Sequence, residues 1–266
     1  MKKLFFAAFF IMAALPLQAQ KLHVIESDNL HCNDSILVFS PKGQQAKMNI
    51  PTAFVLHGAG GCYSNWAKRM DLQSLANNTG FRIICPDGFS YGWYIDNADK
   101  SKMQWMTFFE TELYPLMNRE YGLDPQKTFI TGLSMGGHGA MTIFLSHSEW
   151  FRSGGSMSGV LDIRGRERLA GMLGAYSLDD HVLYDHSAIG MIDAIKGTDK
   201  FCIVTCGTED SLVESSRSFE RACLDAGVKV ISMYSPGKHD WKYWPFILEY
   251  HLDWFKRIMN GEPLGF

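Results

Sequence analysis

The chain has 266 residues, of which 46% are hydrophobic and 20% are charged, a composition typical of a globular protein with a sizeable core. Its formal net charge of −3 offers no electrostatic basis for binding nucleic acid, which requires a basic surface. No apolar run reaches the length that a membrane-spanning helix requires.

The first predicted element is a secretory signal peptide at residues 1–19. Lys2 and Lys3 form a short basic start, the apolar run LFFAAFFIMAAL follows, and PLQAQ ends in small and polar residues. This order is typical of a cleavable export signal, with cleavage near Ala19; a buried N-terminal helix is the alternative. We therefore expect a periplasmic or secreted protein without a membrane anchor. Its mature part, residues 20–266, is predicted to be one domain, and loss of the two lysines changes its charge from −3 to −5.

The mature chain alternates β-rich runs with helical patterns. Several of the predicted strands are almost continuously apolar, as buried parallel strands are; the strands cover 52–58, 81–88, 127–134, 154–159, 200–207 and 228–237. The predicted helices cover 65–78, 102–121, 135–146, 212–226 and 243–259. Such alternation with short connections predicts an α/β fold with a mostly parallel central sheet and helices on both faces.

Two parts of the chain depart from this alternation. The runs 22–27 and 35–40 are predicted to be antiparallel strands on one edge of the sheet. Residues 161–188 contain no clear strand and are predicted to lie over one end of the sheet. Since ligands of open α/β sheets bind outside the carboxyl ends of the strands, the residues that follow each strand are the first candidates for chemistry.

The six cysteines predict neither a disulfide scaffold nor a metal site. Cys202 and Cys206 fall on one predicted strand, about 13 Å apart, which is beyond disulfide reach. The paired CxxC spacing of structural metal sites is absent. We expect the cysteines to be small core residues.

Ser134 lies in the stretch TGLSMGGHG, between a predicted strand and a predicted helix. A catalytic serine on such a turn has a strained backbone, so its neighbours must be small, as Gly132, Gly136 and Gly137 are. The following helix directs free N–H groups and a partial positive charge towards the reaction. Because serine and glycine are common, the motif alone could also be an ordinary glycine-rich turn.

Candidate partners for Ser134 follow later strands in the required order. A serine nucleophile needs a base, and the base needs an orienting acid, in the chain order serine, acid, histidine. Asp210 follows the strand at 200–207, and His239 follows the strand at 228–237. Glu209 and Asp162 are weaker candidates for the acid. These positions predict a catalytic triad of Ser134, Asp210 and His239.

The loop HGAGG after the first buried strand predicts the remaining catalytic component. A glycine-rich loop here allows a backbone N–H group to approach a substrate carbonyl. We expect the N–H groups of Ala59 and Met135 to form the oxyanion hole, and His57 to support the loop by hydrogen bonding. His138, one turn after Ser134, is predicted to be a packing residue. Neither phosphate-binding glycine motif is present.

Several aromatic side chains fall near the predicted site and could stack on a sugar or a cinnamoyl ring. Trp93 and Trp241 are the preferred substrate-binding candidates because they lie on predicted site loops. For any one of these aromatic residues, core packing is an equally good interpretation. The wider set also contains Tyr91, Tyr94, Trp105 and Trp244.

Six segments of the sequence together resemble one known family: LHGAGGCYSNW, PDG…GWYIDNAD, FFETELYPLMNREYGLD, TFITGLSMGGHGAM, CGTEDSL and GKHDWKYWPFIL. They are similar to the esterase D and feruloyl esterase branch of the α/β-hydrolases. That branch includes carbohydrate esterase family 1, tributyrin-type esterases, S-formylglutathione hydrolases and the antigen 85 mycolyltransferases. The resemblance extends from about residue 50 to residue 255.

The resemblance implies an α/β-hydrolase fold and a serine esterase without cofactor or metal. It aligns Ser134 with the family nucleophile, Asp210 with the acid, His239 with the base, and Ala59 and Met135 with the oxyanion donors. The leading expected substrate is an acetyl or feruloyl ester on a plant polysaccharide or oligosaccharide. A general short-chain carboxylesterase and an acyltransferase are the alternatives, and a non-catalytic glycan-binding module is a more distant one. Neither the oligomeric state nor the acyl group follows from the sequence.

Overall fold

The computed structural model describes residues 20–264, which form one eight-stranded sheet. The strand order is β1-β2-β4-β3-β5-β6-β7-β8. β1 and β2 run antiparallel at one edge, and all pairs from β4 to β8 are parallel. The predicted α/β class, the mostly parallel sheet and the antiparallel edge are confirmed. The predicted signal peptide lies outside the described residues.

The strands lie close to their predicted positions. Their bounds are β1 Gln20–Ser27, β2 Cys32–Phe39, β3 Thr52–Leu56, β4 Arg82–Pro86, β5 Thr128–Leu133, β6 Ser153–Met157, β7 Phe201–Gly207 and β8 Lys229–Ser235. The central strands β3 to β6 are buried along their whole length. This burial on both faces explains why their sequences are continuously apolar rather than alternating.

Helices cover both faces of the sheet, as predicted. Their bounds are α1 Leu72–Thr79, α2 Trp105–Phe108, α3 Tyr114–Tyr121, α4 Met135–Ser146, α5 Glu167–Leu173, α6 His181–Asp185, α7 Val213–Ala226 and α8 Trp244–Asn260. In β3, Phe54 and Leu56 pack into the core under α2 to α4 and α7, whereas Ala53 and Val55 pack into the core under α1 and α8. The alternation of side chains along the strand therefore supplies two hydrophobic cores.

Two predicted helices differ from the structure in detail. The helix predicted at 65–78 begins only at Leu72, because the Asp71 carboxylate accepts a hydrogen bond from the Ser74 N–H at 3.0 Å and caps that end. The segment predicted at 102–121 contains a π-helical turn at Phe109–Leu113, between α2 and α3. Neither detail is visible in hydrophobic periodicity alone.

Residues 161–188 contain the short helices α5 and α6 and no strand. The segment contacts the loop that follows β4: the Ala98 N–H donates to the Met172 carbonyl at 2.9 Å, and the Arg168 guanidinium lies 5.0 Å from the Tyr91 ring centroid. It therefore lies beside the carboxyl end of the sheet. No helix within residues 20–264 is long and apolar enough to cross a membrane.

Candidate active site

Ser134 lies on a strained turn between β5 and α4. Its φ of 53° and ψ of −117° are rarely adopted by a residue with a side chain. The Ser134 N–H donates to the Met157 carbonyl on the neighbouring strand at 2.9 Å, which holds the turn in place. Strain of this kind persists only where the surrounding structure enforces it, and it is concentrated at functional sites.

Glycines provide the space that this turn requires. A Cβ atom on Gly132 would clash with the Gly136 carbonyl oxygen, and one on Gly136 would lie 2.5 Å from the His57 carbonyl oxygen. Both contacts are with backbone atoms, which cannot rotate away. The sequence G-x-S-x-G is thus explained by close backbone packing around Ser134.

Ser134, His239 and Asp210 form one hydrogen-bonded chain. His239 Nε2 lies 2.9 Å from Ser134 Oγ, and His239 Nδ1 lies 2.8 Å from Asp210 Oδ2. Asp210 follows β7 and His239 follows β8, so the carboxyl ends of three parallel strands, β5, β7 and β8, are each followed by one of the three residues. With Nδ1–H donated to the carboxylate, Nε2 is left to accept the serine proton.

The surroundings of Asp210 keep it ionised. Burial acts to raise its pKa, but hydrogen bonds from His239, the Leu212 N–H and the Ser158 hydroxyl outweigh burial, and the pKa lies below its ordinary value. Its side chain is fully buried, whereas that of His239 is 33% exposed. A buried carboxylate beside a half-exposed imidazole stabilises the positive charge that forms when the imidazole takes a proton.

Of the two predicted oxyanion donors, Ala59 lines the cavity that contains Ser134, and Met135 directly follows Ser134 in the chain as the first residue of α4. Within residues 20–264, neither backbone N–H donates to a backbone or side-chain acceptor. A free N–H at a helix start and another on a loop are available to a developing oxyanion.

His57 fixes the loop that carries Ala59. Its ring is 1% exposed; Nε2 accepts from the Gly88 N–H at 2.8 Å, so Nδ1 carries the hydrogen and donates to the Gly58 carbonyl at 2.8 Å. The Gly60 N–H donates to the Ser90 carbonyl at 2.6 Å. These bonds tie the loop to the segment after β4, and His57 has no contact with the Ser134 hydroxyl.

A cavity of about 420 Å³ opens above Ser134. Trp241 and Trp244 form its aromatic wall, with their ring centroids 5.2 Å apart and nearly perpendicular. Trp244 also meets the His239 ring edge-on at 4.9 Å and donates through Nε1 to the Ser158 hydroxyl at 3.3 Å. The wall thus contacts the imidazole directly. The remaining lining residues are Gly58, Ala59, Asn65, Leu133, Ser134, His239 and Asp240.

Of the two predicted substrate-binding tryptophans, only Trp241 lines this cavity. Trp93 is 9% exposed and packs edge-on against the His138 ring at 5.7 Å, because its backbone has a positive φ of 57° that turns the side chain into the core. His138 is fully buried; burial lowers its pKa to about 4, and its Nδ1 contacts the Val160 carbonyl at 3.2 Å. Both residues lie in the packed interior.

The weaker candidates for the acid lie elsewhere. Glu209 is exposed and pairs with Lys238 at 3.7 Å, whereas Asp162 binds the Arg164 guanidinium at 2.6 Å. Within residues 20–264, no group of three or more His, Cys, Asp or Glu side chains could hold a metal ion. The six cysteines, all within that range, carry free thiols.

Two residues of the site were missed by sequence reasoning. Ser158 follows β6 and adopts a positive φ of 50°; its hydroxyl helps to lower the pKa of Asp210 and accepts the Trp244 Nε1 hydrogen bond at 3.3 Å. Asn65 lines the cavity from the turn before α1. The rule that directed attention to Asp210 and His239 also applies to Ser158, which directly follows a strand at the same sheet edge; nothing in the sequence distinguishes Asn65 from other loop residues.

Residues 27–253 match the sequence profile of a family described as "Putative esterase". An acetyl esterase from Caldicellulosiruptor saccharolyticus is 24% identical over 237 residues, covering 80% of this chain and 85% of that protein. A mouse (Mus musculus) S-formylglutathione hydrolase is also 24% identical, covering 91% and 95%. The structure of a ferulic acid esterase matches with a TM-score of 0.77 and 24% identity, covering 90% of this chain and 98% of that chain.

Proposed function

Because the chain belongs to this esterase family, we propose that it hydrolyses carboxylic esters through an acyl-enzyme on Ser134. One observation carries the proposal: Ser134, His239 and Asp210 are joined by hydrogen bonds of 2.9 and 2.8 Å at a strained turn. An isolated serine hydroxyl is a weak nucleophile at neutral pH. A serine bonded to an imidazole that a carboxylate orients is an activated one.

In the first step, His239 Nε2 takes the proton of Ser134 as its oxygen attacks the ester carbonyl carbon. The carbonyl oxygen becomes an oxyanion, which the N–H groups of Ala59 and Met135 bind. Asp210 stabilises the imidazolium. When the tetrahedral intermediate collapses, the carbon–oxygen bond to the alcohol breaks, and His239 gives its proton to the departing alcohol.

In the second step, water attacks the acyl-enzyme. His239 takes a proton from the water as its oxygen attacks the acyl carbon, and the same N–H groups bind the second oxyanion. Collapse breaks the bond to the serine oxygen and releases the carboxylic acid. His239 returns the proton to Ser134, which restores the free enzyme.

The substrate that we propose is an acetyl or feruloyl ester on a plant polysaccharide or oligosaccharide. The acetyl esterase relative supports an acetyl group. Trp241, which lines the cavity beside Ser134, supports a sugar or aromatic ring, because a flat aromatic face stacks on either.

A general short-chain carboxylesterase is the second candidate. The similarity to S-formylglutathione hydrolase over 91% of the chain favours it, since that name states a formyl thioester substrate. The two candidates differ in whether the alcohol part contributes to binding. A sugar esterase gains kcat/KM from the sugar, whereas a general esterase is indifferent to it.

A substrate panel with the Ser134→Ala variant tests the proposal. The panel contains p-nitrophenyl acetate, acetylated xylan, methyl ferulate and S-formylglutathione. We expect hydrolysis by the wild-type protein, with a higher kcat/KM on acetylated xylan or methyl ferulate than on S-formylglutathione, and loss of turnover on every substrate in Ser134→Ala. Near wild-type turnover by Ser134→Ala would rule out the mechanism. Preference for S-formylglutathione over the carbohydrate and feruloyl esters would overturn the carbohydrate assignment and leave the mechanism intact, whereas p-nitrophenyl acetate, whose leaving group is activated, tests the mechanism alone.

We further propose that residues 1–19 direct export and are removed. The basic start and apolar run of the sequence support this. N-terminal sequencing of the protein recovered from the periplasm or medium should begin at or next to Gln20. Recovery of the chain with Met1 intact in the cytoplasm would contradict export.

A further inference from the structure

Asp34 is a buried carboxyl group that the proposed mechanism does not use. It lies on β2 and has no contact with solvent. Among residues 20–264, neither of its carboxyl oxygens has a hydrogen-bond partner. Burial of an ionised carboxyl group without a partner is costly, so its presence inside the protein requires an explanation.

The strand register places Asp34 beside the turn that follows β4. β2 and β4 run antiparallel, with Ile36 opposite Pro86. Two residues further along this register, Asp34 comes opposite Gly88. The N–H group and the carboxylate of Asp87 both act on the charge of Asp34. Asp34 therefore adjoins the first residues of this turn.

The same turn holds the loop that carries Ala59. The Gly88 N–H donates to His57 Nε2 at 2.8 Å, and the Ser90 carbonyl accepts from the Gly60 N–H at 2.6 Å. The loop is thus attached to the turn on both sides of Ala59. A displacement of the turn would be passed on to the proposed oxyanion donor.

Asp87 lies between Asp34 and His57 and is held by several bonds. Its Oδ1 accepts the Phe89 N–H at 2.7 Å and lies 3.3 Å from His57 Nε2. Its main-chain carbonyl accepts from Trp105 Nε1 at 2.9 Å. Asp87 cannot move away from a second negative charge without breaking bonds that shape the turn.

The surroundings of Asp34 favour its neutral form. Burial, and after it the negative charge of Asp87, raise the pKa of Asp34 to about 8, although the N–H groups of Ser35 and Asp87 act in the opposite direction. At neutral pH the carboxyl group is therefore protonated. A carboxylic acid that stays neutral in this way avoids the cost of a buried charge.

The other ionisable groups on the surrounding elements are also acids. Cys32 lies on β2 and Tyr94 follows β4, and the pKa of each is raised first by loss of solvation and to a smaller extent by the charge of Asp34. Glu112 lies on the π-helical turn that packs against β1, and Ile25, opposite Asp34 on β1, carries no charge. None of these groups supplies a positive charge to balance an ionised Asp34.

We propose that Asp34 is a positioning residue of the oxyanion loop: as a neutral acid it allows the turn after β4 to hold His57 and Gly60, and its ionisation displaces that turn. An ionised Asp34 would be a buried charge beside Asp87, and displacement of the turn lets water reach it. The N–H of Ala59 then loses its alignment with the oxyanion. The inference rests on the proposed function for the role of Ala59, but the displacement can be measured without turnover.

NMR titration of the wild-type protein and Asp34→Asn tests the displacement. Asparagine has the shape of aspartate and cannot ionise. Between about pH 6 and pH 9.5, the amide signals of Gly60 and Gly88 should shift with a midpoint near pH 8 in the wild type and should not show this transition in Asp34→Asn. Asp28→Asn, which removes an exposed carboxylate between β1 and β2, should titrate as the wild type does. Equal titration in wild type and Asp34→Asn overturns the inference.

A measurement on the wild type alone covers the case in which Asp34→Asn does not fold. With ¹³C-labelled aspartate, one side-chain carboxyl signal should titrate near pH 8, far above the ordinary value of about 4. If every aspartate carboxyl group titrates below about pH 6, Asp34 is ionised at neutral pH and the inference is wrong.

Turnover of p-nitrophenyl acetate links the displacement to catalysis. The ratio of kcat at pH 9.5 to kcat at pH 7 should be about ten-fold lower in the wild type than in Asp34→Asn, a part of the loss that removal of an oxyanion donor causes. Equal ratios would show that Asp34 does not position the loop. Amide shifts that depend on Asp34 in a protein without esterase activity would uphold the coupling and reject the proposed function, so the two failures are distinguishable.

Discussion

Two histidines bridge the same pair of strands in two different regions of the molecule. At the carboxyl edge of the sheet, His239 connects Ser134, which follows β5, to Asp210, which follows β7. On the face of the sheet that α8 covers, His251 of α8 connects Thr131 of β5 to Thr205 of β7, at 2.8 and 3.0 Å. In each imidazole, one ring nitrogen hydrogen-bonds a residue of or after β5, and the other hydrogen-bonds a residue of or after β7.

The partners and the solvent access of the two rings differ. His239 has a carboxylate on one side and a third of its side chain exposed. His251 has only hydroxyl partners and is completely buried, and burial lowers its pKa to about 3. An imidazole can act as a base only if its protonated form is stabilised and a substrate can reach it. The two histidines share their bridging geometry, whereas the charge of the partner and access to solvent separate a candidate catalytic histidine from a structural one.

The largest expected effect is the loss of kcat on replacing His239, for which the same replacement of His251 is the control. His239→Gln should lower kcat by about 10⁵-fold or more, because among residues 20–264 the Ser134 hydroxyl is hydrogen-bonded to the His239 imidazole and to no second base. His251→Gln should lower stability but keep kcat of the folded enzyme within a few-fold. Steady-state turnover of p-nitrophenyl acetate, corrected for the folded fraction by circular dichroism, measures both. Equal losses of kcat in the two variants would remove the distinction.

Asp210→Asn should lower kcat by about 10⁴-fold while the protein stays folded. The amide has no negative charge for the imidazolium and favours the wrong tautomer of His239. Glu209→Gln is the matched control, since the Glu209 side chain is exposed and its carboxylate pairs with Lys238 at 3.7 Å. The pH–rate profile of each variant provides the measurement. If Glu209→Gln loses more activity than Asp210→Asn, the acid is misassigned.

Gly155→Ala should destabilise the layer around His251 by about 3 kcal/mol, as overpacking of a core does. Gly155 lies in β6, between β5 and β7, and a Cβ there would be 2.6 Å from His251 Nδ1. Urea unfolding gives the change, with Gly171→Ala, whose Cβ would meet nothing within 4 Å, as control. An unaltered unfolding midpoint would mean that the buried ring is not tightly held.

The smallest effect is on the pH dependence of stability. The folded protein keeps His251 neutral down to about pH 3, whereas the unfolded chain protonates it near pH 6.5. Its contribution to stability is therefore complete above about pH 6.5 and is lost as the pH falls towards 3. Between pH 8 and pH 5, the free energy of unfolding of His251→Gln should fall by about 2 kcal/mol less than that of wild type. A parallel fall in both proteins would contradict the buried neutral state.

Much of the fold was predictable because the periodicity of this sequence is strong. The unbroken apolar run in β3 is typical of a buried parallel strand. The helical pattern that starts directly after Ser134 fixes the end of β5 and the beginning of α4. The start of α1 at Leu72 depends on one side-chain hydrogen bond of Asp71, and the turn at 109–113 on helix packing. Such local details carry no signal in hydrophobic patterning.

The candidate site also has features that the sequence predicted and features that it did not. The chain order of Ser134, Asp210 and His239 was enough to expect that these side chains meet, since the carboxyl ends of neighbouring parallel strands share one edge. Their catalytic roles stay a prediction. The burial of Trp93 was not predictable, because it depends on a left-handed backbone conformation that the sequence does not indicate. Aromatic residues on loops are equally suited to a cavity wall and to a core.

Labelling with a fluorophosphonate shows whether His239 activates Ser134, because this reagent reacts with a serine only when its hydroxyl is activated by a base. Intact-protein and peptide mass spectrometry should show one adduct on Ser134 of the wild-type protein and none in Ser134→Ala. His239→Gln should slow labelling by orders of magnitude, whereas folded His251→Gln should react at the wild-type rate. Two results would contradict activation of Ser134 by His239: a folded wild-type protein that stays unlabelled, or a His239→Gln variant that is labelled at the wild-type rate.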